Sequence, residues 1–319
     1  MTTVIPDAMQ RSIDLIESWR TLGNDYATWR QALPTDAPEE FREGYVAGKQ
    51  QRQIGKPDRY VLKWLHVRYG ALKRRRIVDR NVTVDFLRSI DVPVCPVTLV
   101  DLGHRGHEDS NWSIDRVNND GAYAPENLIV ISTKANKAKG NKTFDDVCGL
   151  SMQGTSSEGL EPKEWLRLAM LMQGACATET DANPLRLPLV TKLPPHCARP
   201  VWLQIQYVIH RAASKQSERK KAESRINQIC LDGLTVEKLK MLIDTVRDML
   251  GVNRKSKKYE YDVWSSEKVK RLLHSWVVAL GPHGQNQLRL AVRDLAGGHS
   301  LQKSEVEAWS LPTRGYLTK

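Results

Sequence analysis

Ser113-Ile114-Asp115-Arg116-Val117-Asn118-Asn119-Asp120-Gly121-Ala122-Tyr123-Ala124-Pro125-Glu126-Asn127 leads through Leu128-Ile129-Val130-Ile131 into Asn136-Lys137-Ala138-Lys139-Gly140, and this stretch decides the fold. Trp112 to Val117 is short and apolar, so it reads as a strand. Asn118 to Gly121 is dense turn chemistry. Leu128 to Ile131 is a second strand. Ser132 or Thr133 can cap a helix that carries Asn136 and Lys139 and stops at Gly140. Upstream, Val97 to Leu102 is β-prone, and Gly103 to Ser110 is a polar loop with His104 and His107. The order is strand, long loop, strand, helix.

Working outward, residues 42 to 80 hold twelve basic side chains against three acids (Glu43, Asp58, Asp79), most of the net charge of +11 carried by 319 residues. Tyr60, Trp64, Tyr69 and Leu72 interleave with them, and Val61, Leu65 and Leu72 recur at near-helical spacing. The pattern predicts an amphipathic helix from Asp58, a good cap, to about Ile77. Its basic face suits DNA phosphates, with Arg68, Lys73, Arg74, Arg75 and Arg76 as contacts; the plainer reading is a solvated face. Before it, short helices are expected over Asp7 to Thr21, Asp25 to Leu33 and Pro38 to Gln53; after it, Thr83 to Ile90.

The ordered set resembles the HNH endonucleases, in the phage-type, recombination endonuclease VII-like branch. Cys95-Pro96-Val97-Thr98, the Ser113 to Arg116 quartet, Gly121, Tyr123, Asn127 and Asn136 through Gly140 carry the resemblance, over roughly residues 58 to 145. It implies an α+β fold, a small ββα-metal core flanked by helices. It implies Asp115 and Asn136 as ligands of one divalent cation; their oxygen donors suit Mg²⁺ or Mn²⁺. It makes Asn127 the residue that ties the loop through backbone hydrogen bonds, and sets Lys139 and Arg116 against phosphate. Phosphodiester hydrolysis needs such a cation, a base to activate water and a strand held for in-line attack.

The sequence departs from the family at two places. Of the zinc cysteines only Cys95 remains, with Thr98, Ser132 and Ala135 near the other positions, so no structural zinc is expected. The base position holds Arg116, a poor base because it stays protonated. His104 and His107 are the nearest replacements; both also read as ordinary loop residues, and water activated without a protein base is a further option. The site set is therefore Asp115, Arg116, Asn127, Asn136, His104 and His107.

Gly149 to Leu160 reads as a linker. The remainder, 161–319, reads as a helical accessory region, with helices over Pro162 to Gln173, Pro200 to Cys230, Thr235 to Leu250, Ser265 to Leu280, Gln285 to Leu295 and Lys303 to Trp309. Residues 1–57 form a helical N-terminal region and 58–148 the nuclease module. Two basic clusters, 211–225 and 254–258, suggest DNA contact or assembly through the C-terminal helices. Apolar residues are 40% and charged residues 27% of the chain, a globular balance. No run is long and apolar enough for a membrane span, and Met1 to Asp7 lacks the pattern of a secretory signal. Five scattered cysteines (Cys95, Cys148, Cys176, Cys197, Cys230) fit a reducing, cytoplasmic setting. The expected activity is DNA cleavage in a phage, mobile-element or defence setting. A non-catalytic DNA-binding protein and a helical interaction protein are the alternatives.

Overall fold

In a computed structural model the described residues are 7–104, 108–176, 187–194, 200–227 and 232–295. The chain is mostly helical with one two-stranded antiparallel sheet. It divides into two compact units: residues up to 95 with 100–141, and 96–99 with the described residues from 142 onward.

The first unit opens with α1 (Asp7–Thr28) and α2 (Glu39–Lys49). The sequence suggested a break inside α1 after Thr21; the helix continues through it. Gly23 is there for a tertiary reason, since a Cβ on it would sit 2.0 Å from the Phe41 carbonyl oxygen. Gly44 is matched, at 1.9 Å from the Arg20 carbonyl. The two backbones therefore cross where side chains would collide. Helix α3 (Arg59–Lys73) packs Val61, Leu65 and Leu72 onto Trp19, Leu22, Tyr26 and Phe41.

Asp58 caps α3, its side chain accepting from the Tyr60 and Val61 N–H groups, each at 2.9 Å. The helix ends at Lys73, four residues before the expected Ile77. Arg75 turns to φ 52°, and the chain then runs beside Tyr123: Tyr123 N–H donates to the Ile77 carbonyl at 2.9 Å and Asp79 N–H to the Tyr123 carbonyl at 2.8 Å. Helix α4 (Val84–Ser89) follows, capped by Thr83. Val97 to Leu102 forms no strand. Cys95 N–H donates to the Val100 carbonyl at 2.9 Å and Leu99 takes φ 58°, so the segment turns back on itself.

Strand β1 (Trp112–Arg116) pairs with β2 (Leu128–Ser132), with Asp115 opposite Ile129 and Ile114 opposite Val130. All five residues of β2 are buried. Helix α5 (Thr133–Lys139) starts at once. Ser132, rather than Thr133, is its cap, accepting from Ala135 N–H at 3.2 Å, and Gly140 ends it at φ 49°. Strand, turn, strand and helix thus follow in the order read from the sequence.

In the second unit α6 (Phe144–Met152) begins with a reciprocal Thr143–Asp146 cap and packs on α7 (Pro162–Cys176). Residues 149–152, expected in a linker, lie in α6, and Leu160 is fully buried. Helices α8 (Val201–Ser214), α9 (Gln216–Asn227), α10 (Gly233–Lys255) and α11 (Glu267–Leu295) follow. The single helix expected from Pro200 to Cys230 is broken at Lys215, which is extended. Helix α11 is interrupted at Gly281, before Pro282. Trp165, Trp264 and Trp276 are fully buried, so the tryptophans are packing residues here. The helix expected at Lys303 to Trp309 lies outside the described residues, as do Cys197 and Cys230. Among the described residues no helix is long and apolar enough to cross a membrane.

Candidate metal and nucleic-acid site

Strand alternation sends Ser113 and Asp115 to one face of β1, and helical periodicity sends Asn136 and Lys139 to one face of α5. The two faces meet in rungs. Asn136 Nδ2 donates to Ser113 Oγ at 2.6 Å. Lys139 Nζ lies 3.1 Å from Asp115 Oδ2 and 3.3 Å from Oδ1. Asp115 and Asn136, expected to share one cation, therefore sit on neighbouring rungs of one interface.

Lys139 has no exposed surface. Besides Asp115, its ammonium donates to the Arg116 carbonyl at 2.8 Å and to Asn119 Oδ1 at 2.9 Å. The phosphate contact expected of Lys139 does not match this placement: the ammonium is turned inward and its three N–H bonds are used. Burial pushes the Asp115 carboxyl above its ordinary range, against the pull of Lys139 and then of Arg116.

The turn between the strands is tied from two sides. Asn127 is fully buried; Oδ1 accepts from Asn118 N–H at 2.7 Å, while Nδ2 donates to the Asn118 and Ala122 carbonyls, each at 2.9 Å. These three bonds tie the loop from Asn118 to Ala122. Arg116 donates through Nη1 to the Asn119 carbonyl at 2.7 Å and the Gly121 carbonyl at 2.8 Å, and its guanidinium lies 5.0 Å from the Tyr123 ring centre. Tyr123 OH accepts from Arg74 Nη2 at 2.8 Å. Arg116 therefore braces the turn.

His104 packs edge-on against Trp112, ring centres 5.3 Å apart, with its Nδ1 buried and unpartnered. Trp112 alternates to the face of β1 opposite Ser113 and Asp115, and no hydrogen bond or ring contact joins His104 to Asp115, Asn136 or Lys139 among the described residues. His107 lies outside them.

Along α3 much of the positive charge is spent internally. Arg68 pairs with Asp25 and lies 4.2 Å from the Trp64 ring centre; Lys73 pairs with Asp36; Arg59 meets Asp91 at 2.8 Å. Lys63 donates to the Trp112 carbonyl at 3.1 Å, and burial lowers its pKa. Charge free for a phosphate concentrates past the helix end. Arg75 and Arg80 are exposed and their side chains make no hydrogen bond or ion pair among the described residues, while Arg76 is half-buried.

Ser113 and Tyr123 were among the residues that carry the resemblance but were given no role at the site, and Asn119 was not singled out. Period-two alternation back from Asp115 would have placed Ser113; nothing local points to Asn119.

The donor set suits a hard divalent cation. Asp115 Oδ2 is buried and accepts no hydrogen bond despite the nearby ammonium. Asn136 Oδ1 accepts from no described residue. A carboxylate and an amide oxygen match Mg²⁺ or Mn²⁺. No group of three His, Cys, Asp or Glu side chains that could hold a metal occurs among the described residues. Cys95 Sγ accepts from Ser132 N–H at 3.2 Å. No family model matches the chain, and neither does any curated protein or solved structure.

Proposed function

We propose that this chain is a metal-dependent endonuclease of the HNH type that hydrolyses DNA phosphodiester bonds. The observation that carries the reading is the pair of rungs, Ser113–Asn136 and Asp115–Lys139, beside a turn tied by buried Asn127. Mg²⁺ or Mn²⁺, when bound, would polarise a phosphoryl oxygen and stabilise the leaving oxygen. Asp115 and Asn136 would hold it. Ser113 fixes the Asn136 amide, and Lys139 fixes the Asp115 carboxylate. Arg75 and Arg80 meet backbone phosphates and set the strand over β1 and α5. Arg116 is not available as the base: its guanidinium is committed to the Asn119 and Gly121 carbonyls.

The second reading is a DNA-binding protein that does not cleave. It is favoured by Lys139, whose ammonium already compensates Asp115. Supercoiled plasmid with Mg²⁺ or Mn²⁺ separates the two. Cleavage by the wild type and none by a folded Asp115→Asn/Asn136→Ala variant supports the nuclease. Equal cleavage by both defeats the site assignment. Salt-sensitive binding without cleavage in any divalent metal selects the second reading.

A further inference from the structure

Among the described residues Asp115 is the one carboxylate in contact at the junction of β1 and α5, and the charged side chains that act on it, Lys139 and Arg116, are both positive. Lys139 is held by Asp115, the Arg116 carbonyl and Asn119 Oδ1 together, with no exposed surface. Withdrawing the ammonium would break three hydrogen bonds, the one to Asp115 fully buried and the other two partly buried, which opposes its leaving. The charge at the site before any ligand arrives is therefore not negative: one carboxylate, an ammonium in contact with it, a guanidinium behind, and a neutral amide on the next rung. Hard divalent cations are held through the negative charge of their oxygen ligands. Here that charge has already been compensated, and one further anion is needed. A phosphodiester supplies it.

We infer that this site takes up its divalent cation jointly with a nucleic-acid phosphate, and that buried Lys139 sets the coupling by cancelling the charge of Asp115. The inference rests on the reading of Asp115 and Asn136 as cation ligands. Lys139 acts through Asp115, so it is a positioning residue. Linkage makes the effect reciprocal: the factor by which DNA tightens the cation is the factor by which the cation tightens DNA. A Lys139 with a merely structural role would change stability and leave that factor untouched.

Mn²⁺ binding to the full chain, read by electron paramagnetic resonance of free Mn²⁺ at fixed ionic strength, tests this. It is measured with and without a phosphorothioate duplex that resists cleavage; the duplex alone and Asp115→Asn give the background. The wild type is expected to bind Mn²⁺ weakly alone and about tenfold or more tightly with the duplex. Lys139→Met keeps the length of the side chain without its charge. It is expected to bind Mn²⁺ more tightly alone and to lose most of the coupling. Equal wild-type affinity with and without duplex overturns the proposal, and so does unchanged coupling in a folded Lys139→Met. If that variant does not fold, the wild type decides alone, through duplex affinity measured against Mn²⁺ concentration: no tightening overturns the proposal. Absence of Asp115-dependent Mn²⁺ binding in both conditions defeats the ligand reading and this inference with it. That is distinct from the case in which Mn²⁺ binds but ignores DNA.

Discussion

The carboxamide of Asn127 closes on both backbone groups of Asn118: Oδ1 accepts from its N–H at 2.7 Å and Nδ2 donates to its carbonyl at 2.9 Å. A third bond runs to the Ala122 carbonyl. A side chain with no exposed surface thus replaces the backbone ladder where the strands part. Asn127→Ala removes three hydrogen bonds, one buried and two partly buried, and the expected loss is about 2–3 kcal/mol in urea unfolding of the full chain. Asn127→Asp keeps the acceptor, loses both donors and turns a charge toward two carbonyls, so it is expected to be at least as harmful. A loss of under about 1 kcal/mol for both variants would mean that the turn holds itself.

Arg116 makes a narrower test, because its charge and its shape separate. Two carbonyls, Asn119 and Gly121, are taken by one nitrogen, and the guanidinium plane lies near Tyr123. Lysine keeps the positive charge and loses the planar group. Arg116→Lys is expected to cost about 1–2 kcal/mol in the same unfolding measurement. DNA affinity at fixed salt should stay within a factor of about two, since this charge faces the turn. A large fall in affinity with unchanged stability would return Arg116 to the phosphate backbone.

The parts of the fold that could be read in advance are those with local causes. Turn residues Asn118 to Gly121, four apolar residues from Leu128, the Ser132 cap and Gly140 each act within a few residues of themselves. The end of α3 could not be read this way. Arg74 to Ile77 would continue a helix, and what draws them out is pairing with Tyr123, distant in sequence. The gap expected between Thr21 and Asp25 does not occur, and Gly23 within it is glycine because of the Phe41 carbonyl on another helix. The site behaved alike. Asp115 and Asn136 were singled out only through the family resemblance, as its implied cation ligands. Lys139 was expected against a phosphate, and only the strand opposite makes it a buried counter-ion. The basic rail was visible as composition, but Asp25 and Asp36, which neutralise Arg68 and Lys73, belong to other segments.

In the second unit, His210 makes stability depend on mild acid. Its Nδ1 accepts from Trp264 Nε1 at 3.3 Å and its ring stacks on Tyr261, centres 4.5 Å apart. Burial lowers its pKa from 6.5 to about 4; Glu260, 3.8 Å from Nε2, is largely in water and does not offset this. The fold holds the imidazole neutral, so below pH 6.5 the unfolded chain takes up a proton that the fold refuses. Stability falls as pH drops from 6.5 toward 4. Between pH 7 and 5 this one group accounts for about 2 kcal/mol. His210→Phe should lose about that much less than the wild type over the same interval, in urea unfolding at both pH values. Parallel losses in the two proteins would rule out His210 as the source.

Salt dependence separates the cations that meet DNA from those that hold the fold. Each phosphate neutralised releases counterions, so the slope of log affinity against log salt counts contacts. Arg75 and Arg80 are exposed and unpaired among the described residues, whereas Arg68 and Lys73 are committed to Asp25 and Asp36. Arg75→Ala and Arg80→Ala are each expected to make the slope shallower by about 1 with little change in melting temperature. Arg68→Ala is expected to do the reverse, because it removes an ion pair and the cation lying on Trp64: it should melt earlier and keep the slope. Fluorescence anisotropy with a labelled duplex across a salt series, beside thermal melts of the same proteins, measures both. A slope that responds to Arg68 and ignores Arg75 would move the DNA path from the turn after α3 onto the helix itself.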